Sequence, residues 1–455
     1  MKRTVQLLLL LSLVAVLLAG CGGNAAPVEN VIDQAPTPLA VAPEDATEEV
    51  VEVEATLPPP VVDSEPTPTL APGAPGGDDE EPAAAPEQSE SKAATRPMFP
   101  WPADRFGYGV QIHGNATVGD PVATMDAVAN QLGMDWIKVQ IEWPTVHPSP
   151  DAGQWFIYDG VLDQAYNYGI NVMLSVVGAP EWTRASGTED GPPDDYGQYA
   201  AFLEELLTRY EGRVQAIEVW NEQNLDREWR TANGVNPEDY VRFLEVAYEA
   251  IKAHDPNIVV ISGALSPTGS GDWVRWADDF DWLDRALAAG MLDYADCVGA
   301  HHNGYNIGPD VPFNQTGSAP DVATATFRGP FDNPHHSWSF KTTLDTYAAK
   351  IQAVDPDMKL CVTEFGWATS EGYDQPPEGF GFAADNTLEE QATYIVDAFQ
   401  LMRESGDVWL TFLFNFDYGN KSGGPTNDNV PYSIVDINGV PRPAYGAIAA
   451  MEKTP

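Results

Sequence analysis

Eight short apolar runs of strand character alternate with helical stretches between residues 106 and 448, and this alternation limits the fold more than any other feature of the chain. Strands that alternate with amphipathic helices build parallel sheets, and eight of them at this length favour a closed (β/α)8 TIM barrel over an open doubly wound sheet. Strands are predicted over 106–113, 136–143, 170–176, 216–220, 258–262, 296–302, 358–364 and 408–415. Helices are predicted after each, over 121–133, 159–168, 196–210, 236–251, 273–287, 341–354, 387–403 and 443–448. The helix signals are local: Asp120-Pro121 and Asn236-Pro237 supply a cap and a first-turn proline, and Thr387-Leu388-Glu389-Glu390 is a capping box. No Gly-x-Gly-x-x-Gly follows the first strand, which lowers a dinucleotide reading.

The leader is of a different kind. Residues 1–20 read as an export signal, with Lys2 and Arg3 before an apolar middle and Leu18-Ala19-Gly20 as the small-residue exit. Cys21 follows at once, and Leu-Ala-Gly-Cys resembles the lipobox of bacterial lipoproteins. That resemblance implies diacylation of Cys21, with two acyl chains as the only membrane attachment and a location outside the cytoplasm. Residues 21–97 are rich in Pro, Ala and Glu and nearly free of aromatics, so they are expected to form a disordered, self-repelling tether. The folded domain is expected over 98–455. The formal net charge is −45 at pH 7, and acidic residues outnumber basic ones on both sides of residue 97. A nucleic-acid partner would need a basic face, so that class is excluded. With Cys21 assigned to lipid, Cys297 and Cys361 remain inside apolar strands and read as buried thiols; a disulfide between neighbouring strands is the minor reading.

Two of the strands end on a carboxylate. Ala216-Ile217-Glu218-Val219-Trp220 leads into Asn221-Glu222, and Leu360-Cys361-Val362-Thr363 leads into Glu364. A parallel barrel displays its chemistry at the C-terminal ends of its strands, so both carboxyl groups would face one cleft from rigid supports. Two such groups are what glycosidic bond cleavage requires: one protonates the leaving oxygen, and the other attacks the sugar or activates water.

Trp220-Asn221-Glu222 and Thr363-Glu364-Phe365-Gly366 resemble the strand-four and strand-seven motifs of clan A glycoside hydrolases, families 39 and 5 being the nearest in flavour. The likeness covers about residues 105 to 450. It implies a retaining, cofactor-free hydrolysis of β-linked glycosides or polysaccharides, with Glu222 as acid/base, Glu364 as nucleophile and Asn221 on the 2-hydroxyl. Tyr305 resembles the Tyr that orients the nucleophile. Lys138 stands where family 5 enzymes usually show an Arg, and Phe414-Asn415 where a Trp commonly floors the reactive subsite. As acid, Glu222 must begin protonated, and the charge on Glu364 is the expected cause.

Further sugar contacts are expected from the residues themselves. Trp143, Trp182 and Trp367 fall just past strands, where a flat ring can stack on a pyranose. His302 is a plausible sugar contact as well, and Lys138 is placed among the substrate-binding residues. The excursion from Asn306 to about Ser339, with His335, His336 and Trp338, is long enough to wall the cleft. His301 and His302 lack a nearby acidic or Cys ligand at metal spacing, so no metal is expected. A transglycosylase with the same two carboxylates, or a non-catalytic glycan-binding lipoprotein, are the alternative readings. The sequence sets no oligomeric state.

Overall fold

The computed structural model describes residues 96–113, 119–188, 190–421 and 424–454. The export signal, Cys21 and all but the end of the tether lie outside the described residues. Within them the order is β1 (Gly107–Ile112), α1 (Pro121–Asp126), β2 (Trp136–Glu142), α2 (Phe156–Tyr168), β3 (Asn171–Val177), α3 (Tyr196–Arg209), β4 (Ala216–Val219), α4 (Pro237–His254), β5 (Val259–Ser262), α5 (Asp279–Ala288), β6 (Val298–Gly304), α6 (Phe340–Gln352), β7 (Leu360–Trp367), α7 (Leu388–Ser405), β8 (Val408–Leu413) and α8 (Pro443–Ala450). All pairings are parallel, in the order β5-β4-β3-β2-β1-β8-β7-β6. The ends meet where Ile261 bridges Cys297 and Leu265 bridges Ala300, which closes the barrel. The predicted (β/α)8 architecture is the one observed.

Strand alternation sorts the side chains into two cores. Ile137, Val139, Val172, Leu174, Ile217 and Val260 point outward into the layer between sheet and helices. Their neighbours Trp136, Met173, Ala216, Val259, Ile261, Leu410 and Phe412 point inward and fill the N-terminal half of the barrel, with Trp101 among them. β1 contributes glycine to this layer for want of room. A Cβ on Gly109 would sit 2.6 Å from the Phe412 ring, and one on Gly107 would meet Leu410 at the same distance.

Three expectations are corrected. The helix predicted over 273–287 begins only at Asp279: Trp273 has φ 62 and belongs to an irregular loop that bridges Leu225 to Trp276, and Asp278 caps the N–H groups of Phe280 and Asp281. The first helix is α-helical only to Asp126, after which 127–131 widen into a π turn. Cys297 and Cys361 are joined, with Cα atoms 5.9 Å apart. They stand side by side at the entry to β6 and β7, facing the apolar interior, a proximity that their 64-residue separation in sequence conceals.

A cross-link spanning 64 residues removes loop-closure entropy from the unfolded chain worth roughly 4 kcal/mol. The Cys297→Ala/Cys361→Ala double variant is expected to lose stability of about that size in denaturant titration. Peptide mapping without reductant is expected to recover the two cysteines as one linked species.

Candidate active site

The inward positions change character toward the C-terminal half of the barrel. Lys138 on β2, Ser175 on β3, Glu218 on β4, His301 on β6 and Thr363 on β7 are all fully or almost fully buried. Charged residues inside apolar strands need partners, and these have them. Lys138 Nζ donates to Glu364 at 2.9 Å and lies 3.3 Å from Glu218. Burial works against its charge, but Glu218 and Glu364 outweigh it and raise its pKa above the ordinary lysine value. Glu218 shows the converse: burial pushes its carboxyl up, and Lys138 and His301 hold it below the usual range. Thr363 donates a 2.6 Å hydrogen bond to the same carboxylate.

Glu364 reaches this layer because β7 carries a bulge. Val362 pairs with Ala300 and Glu364 pairs with His301, so Thr363 has no partner across the ladder; on the other side, Thr363 and Glu364 together oppose Phe412. An extra residue bends a strand and re-aims the side chains beyond it. Thr363 and Glu364 are thereby both turned onto the buried cluster, which strict alternation forbids.

On β4 the turn is tighter. Trp220 and Glu222 both have positive φ, 77 and 41, on either side of Asn221. Such conformations cost of order 1–3 kcal/mol each and persist only when the surroundings fix them. Trp220 Nε1 donates to Glu228 O at 2.8 Å, Glu222 N–H to Ala264 O at 2.9 Å, and the Gln223 amide to Gly263 O at 2.7 Å. Asn224 adds bonds to both the N–H and the C=O of Ser266. The Asn221 side-chain oxygen is buried and has no hydrogen-bond partner among the described residues.

Both candidate carboxylates converge on His301. Its Nδ1 lies 3.3 Å from Glu222 Oε1 and 3.9 Å from Glu364 Oε2. Those two lengths limit the gap between the oxygens to about 7 Å, a span that includes the roughly 5–5.5 Å of a retaining pair. Glu222 and Glu364 keep 7% and 8% of their surface exposed whereas Glu218 is sealed at 0%, so the first two can meet a substrate and the third cannot.

The electrostatics differ from expectation. Burial raises the Glu222 carboxyl, but the His301 hydrogen bond and Arg227, whose Nη2 is 2.8 Å away, outweigh it and bring the pKa down to about 2. His301 responds in the opposite sense: burial lowers it, Glu364 and Glu222 raise it, and the net effect is upward. The two shifts together favour a proton on His301 over one on Glu222. Next to Arg227, Glu228 is pushed up to about 7, chiefly by burial, with Arg227 opposing and Glu222 and Glu364 adding to the rise.

The remaining predicted residues divide. Tyr305 is near the pair, its hydroxyl pushed up to about 12 by burial and the charge of Glu222, but it makes no hydrogen bond to Glu364 among the described residues. It packs edge-on to Trp338 at 4.6 Å, so the excursion does back this wall. His302 is fully buried against Phe340, with burial holding its pKa down to about 4, and has no face toward the cleft. Trp143 and Trp367 are 1% and 0% exposed, the first stacked on Phe202 and the second donating to Ile307 O, so the core uses the faces that a sugar would need. Trp182, at 38%, keeps an open face. Lys138 serves Glu364 and Glu218 rather than open space. Sequence reasoning missed Glu218, His301, Arg227 and Glu228. The first carried a signal, a lone charge amid apolar strand residues matched by Lys138 two strands away; the others are set by spatial neighbours.

Residues 103–417 match the family described as cellulase (glycosyl hydrolase family 5). A beta-xylosidase of Geobacillus stearothermophilus is 34% identical over 90 residues, which is 18% of this chain and 17% of that one. The match thus spans about a sixth of that curated relative's length. Among solved structures, a family 39 glycoside hydrolase from Bacteroides cellulosilyticus superposes with a TM-score of 0.54 at 19% identity, over 78% of this chain and 64% of that one. A glucosidase from Croceicoccus marinus gives 0.53 at 15% identity, over 76% and 67%. These likenesses show the fold.

Replacing Arg227 by Gln removes the cation nearest Glu222 and raises that carboxyl's pKa. If Glu222 supplies a proton, the basic limb of the kcat/KM profile is expected to move to higher pH in R227Q, because that profile reports the free enzyme. An unmoved limb would show that Arg227 does not govern the acid.

Proposed function

The chain belongs to the cellulase family, glycosyl hydrolase family 5, and from that membership we propose that it hydrolyses O-glycosidic bonds of β-linked glycosides or polysaccharides with retention of configuration. The observation that carries this reading is the convergence of Glu222, just past the end of β4, and Glu364, at the bulge within β7, on the one nitrogen of His301. Glu364 attacks the anomeric carbon as the carboxylate that Lys138 orients at 2.9 Å. Glu222 protonates the departing oxygen, then deprotonates the water that releases the glycosyl-enzyme.

The proton comes through His301. In the free site Arg227 holds Glu222 ionised; a sugar entering beside Glu222 displaces the guanidinium, whose side chain is partly exposed, and the carboxyl takes the proton from Nδ1 at 3.3 Å. Asn221 offers its unpaired amide oxygen to the 2-hydroxyl, a contact that strengthens in the transition state. Trp182 supplies a stacking face at the rim.

Glu364→Gln is expected to lower kcat on aryl β-glucosides and β-xylosides by roughly 10^3-fold or more. Glu222→Gln should cost roughly 10^2 to 10^4, with a far smaller loss on activated aryl leaving groups, which need no protonation. NMR of early product is expected to show the β-anomer. An α-anomer at early time would replace retention by inversion, and a wild-type protein that binds glycans without turnover would mark a binding protein.

We further propose that residues 1–20 direct export, that lipid on Cys21 anchors the chain and that 21–97 tether the barrel. Cys21→Ala is expected to move the protein from the membrane fraction to the medium in a bacterial host. Continued membrane association of that variant would exclude lipid on this cysteine as the anchor.

A further inference from the structure

The excursion between β6 and α6 returns to the barrel at a short 3-10 turn, His336–Trp338, beside the start of α5. There His335 and His336 meet Asp278, and one ligand atom from each lies within 4.8 Å of the others. Two imidazoles and a carboxylate are a donor set for a borderline divalent cation such as zinc, with water completing a tetrahedron.

The hydrogen bonds around the group orient it for that use. His336 Nε2 is 2.9 Å from Asp279 Oδ1, and Asp279 is itself fixed by the Tyr347 hydroxyl at 2.6 Å and the Thr268 N–H at 2.9 Å. A carboxylate behind the imidazole is the usual outer partner of a metal-bound histidine: it commits one nitrogen to donate and leaves the other, here Nδ1, as a lone pair. The ring lies flat on Phe280, 3.7 Å between centroids and 15° between planes. His335 Nδ1 is 3.0 Å from Ser337 Oγ and 3.3 Å from the Ser337 backbone N; in the tautomer that donates to Oγ, Nε2 is left as a lone pair for a cation. Asp278 spends Oδ1 on the N–H groups of Phe280 and Asp281, at 3.0 and 3.3 Å, which leaves Oδ2.

His302, on β6, is completely buried, and its ring reaches the Ser337 backbone of the same turn. It lies close enough to Asp279 and His336 for both charges to act on it.

We propose that Asp278, His335 and His336 form a zinc-type cation site that clips the excursion to the start of α5. The site is structural and stands outside the bond-breaking chemistry. Its consequence for the cleft runs through the turn, since Trp338 at the far end of the same turn packs against Tyr305. The expectation of no metal was drawn from His301 and His302; Asp278 meets the His335–His336 pair only through the fold.

The test uses the purified protein, stripped with chelator and dialysed, and zinc chloride alone as probe. Calorimetric titration is expected to give one ion per chain, with a melting temperature a few degrees higher in zinc, and cobalt(II) is expected to give visible d–d bands. Asp278→Asn keeps the helix cap and His335→Gln keeps a polar side chain beside Ser337. Each is expected to weaken zinc binding at least 10-fold while melting as wild type does without the ion. Failure of wild type to bind zinc below about 100 μM, roughly where affinity falls to that of scattered surface ligands, would overturn the site. Binding equally strong in both variants would do the same.

Discussion

A lysine ammonium with no exposed surface must be neutralised where it lies, and much of this barrel is arranged around that demand. Lys138 is placed between Glu218 and Glu364, from β4 and β7, and cannot serve one without fixing the other. Removing one partner of such a pair typically costs 3–5 kcal/mol, because the remaining charge stays buried and unpaired. That penalty pins Glu364 to a single pose. Counting outward, Lys138, His301 and Arg227 stand among four carboxyl groups, Glu218, Glu222, Glu364 and, beside Arg227, Glu228.

The two glutamates nevertheless have different surroundings. Glu364 is held from beneath by a lysine that cannot leave. Glu222 is held from the side by an arginine with part of its surface in solvent. The bulge on β7 and the two left-handed residues around Asn221 are the backbone irregularities that produce this asymmetry, and both fall where a regular strand would have aimed a side chain elsewhere.

The fold was readable because it rests on local periodicity: eight strands and eight helices follow from alternation, caps and first-turn prolines. The carboxylate pair was readable because each follows a short apolar run, although β7 continues past Glu364 to Trp367. What sequence could not give was set by neighbours distant along the chain. Nothing local distinguishes Trp143 from Trp182, yet Phe202 covers one and leaves the other open. Arg227, five residues past Glu222, looks like any loop arginine until the turn at Trp220 brings it back onto the carboxylate. The helix expected at Trp273 failed because Asp278 offers the backbone a better start.

The disulfide at the entry to β6 and β7 lies just below the shifted pairing that sets His301 opposite Glu364. Two strands riveted at one end cannot slide past each other, so the offset that aligns the imidazole with the carboxylate is kept by a covalent bond as well as by the ladder. Such a rivet closes only where thiols are oxidised. In a reducing compartment the same polypeptide would keep its register by backbone pairing alone, so the fidelity of the reacting geometry is coupled to the place where the chain matures.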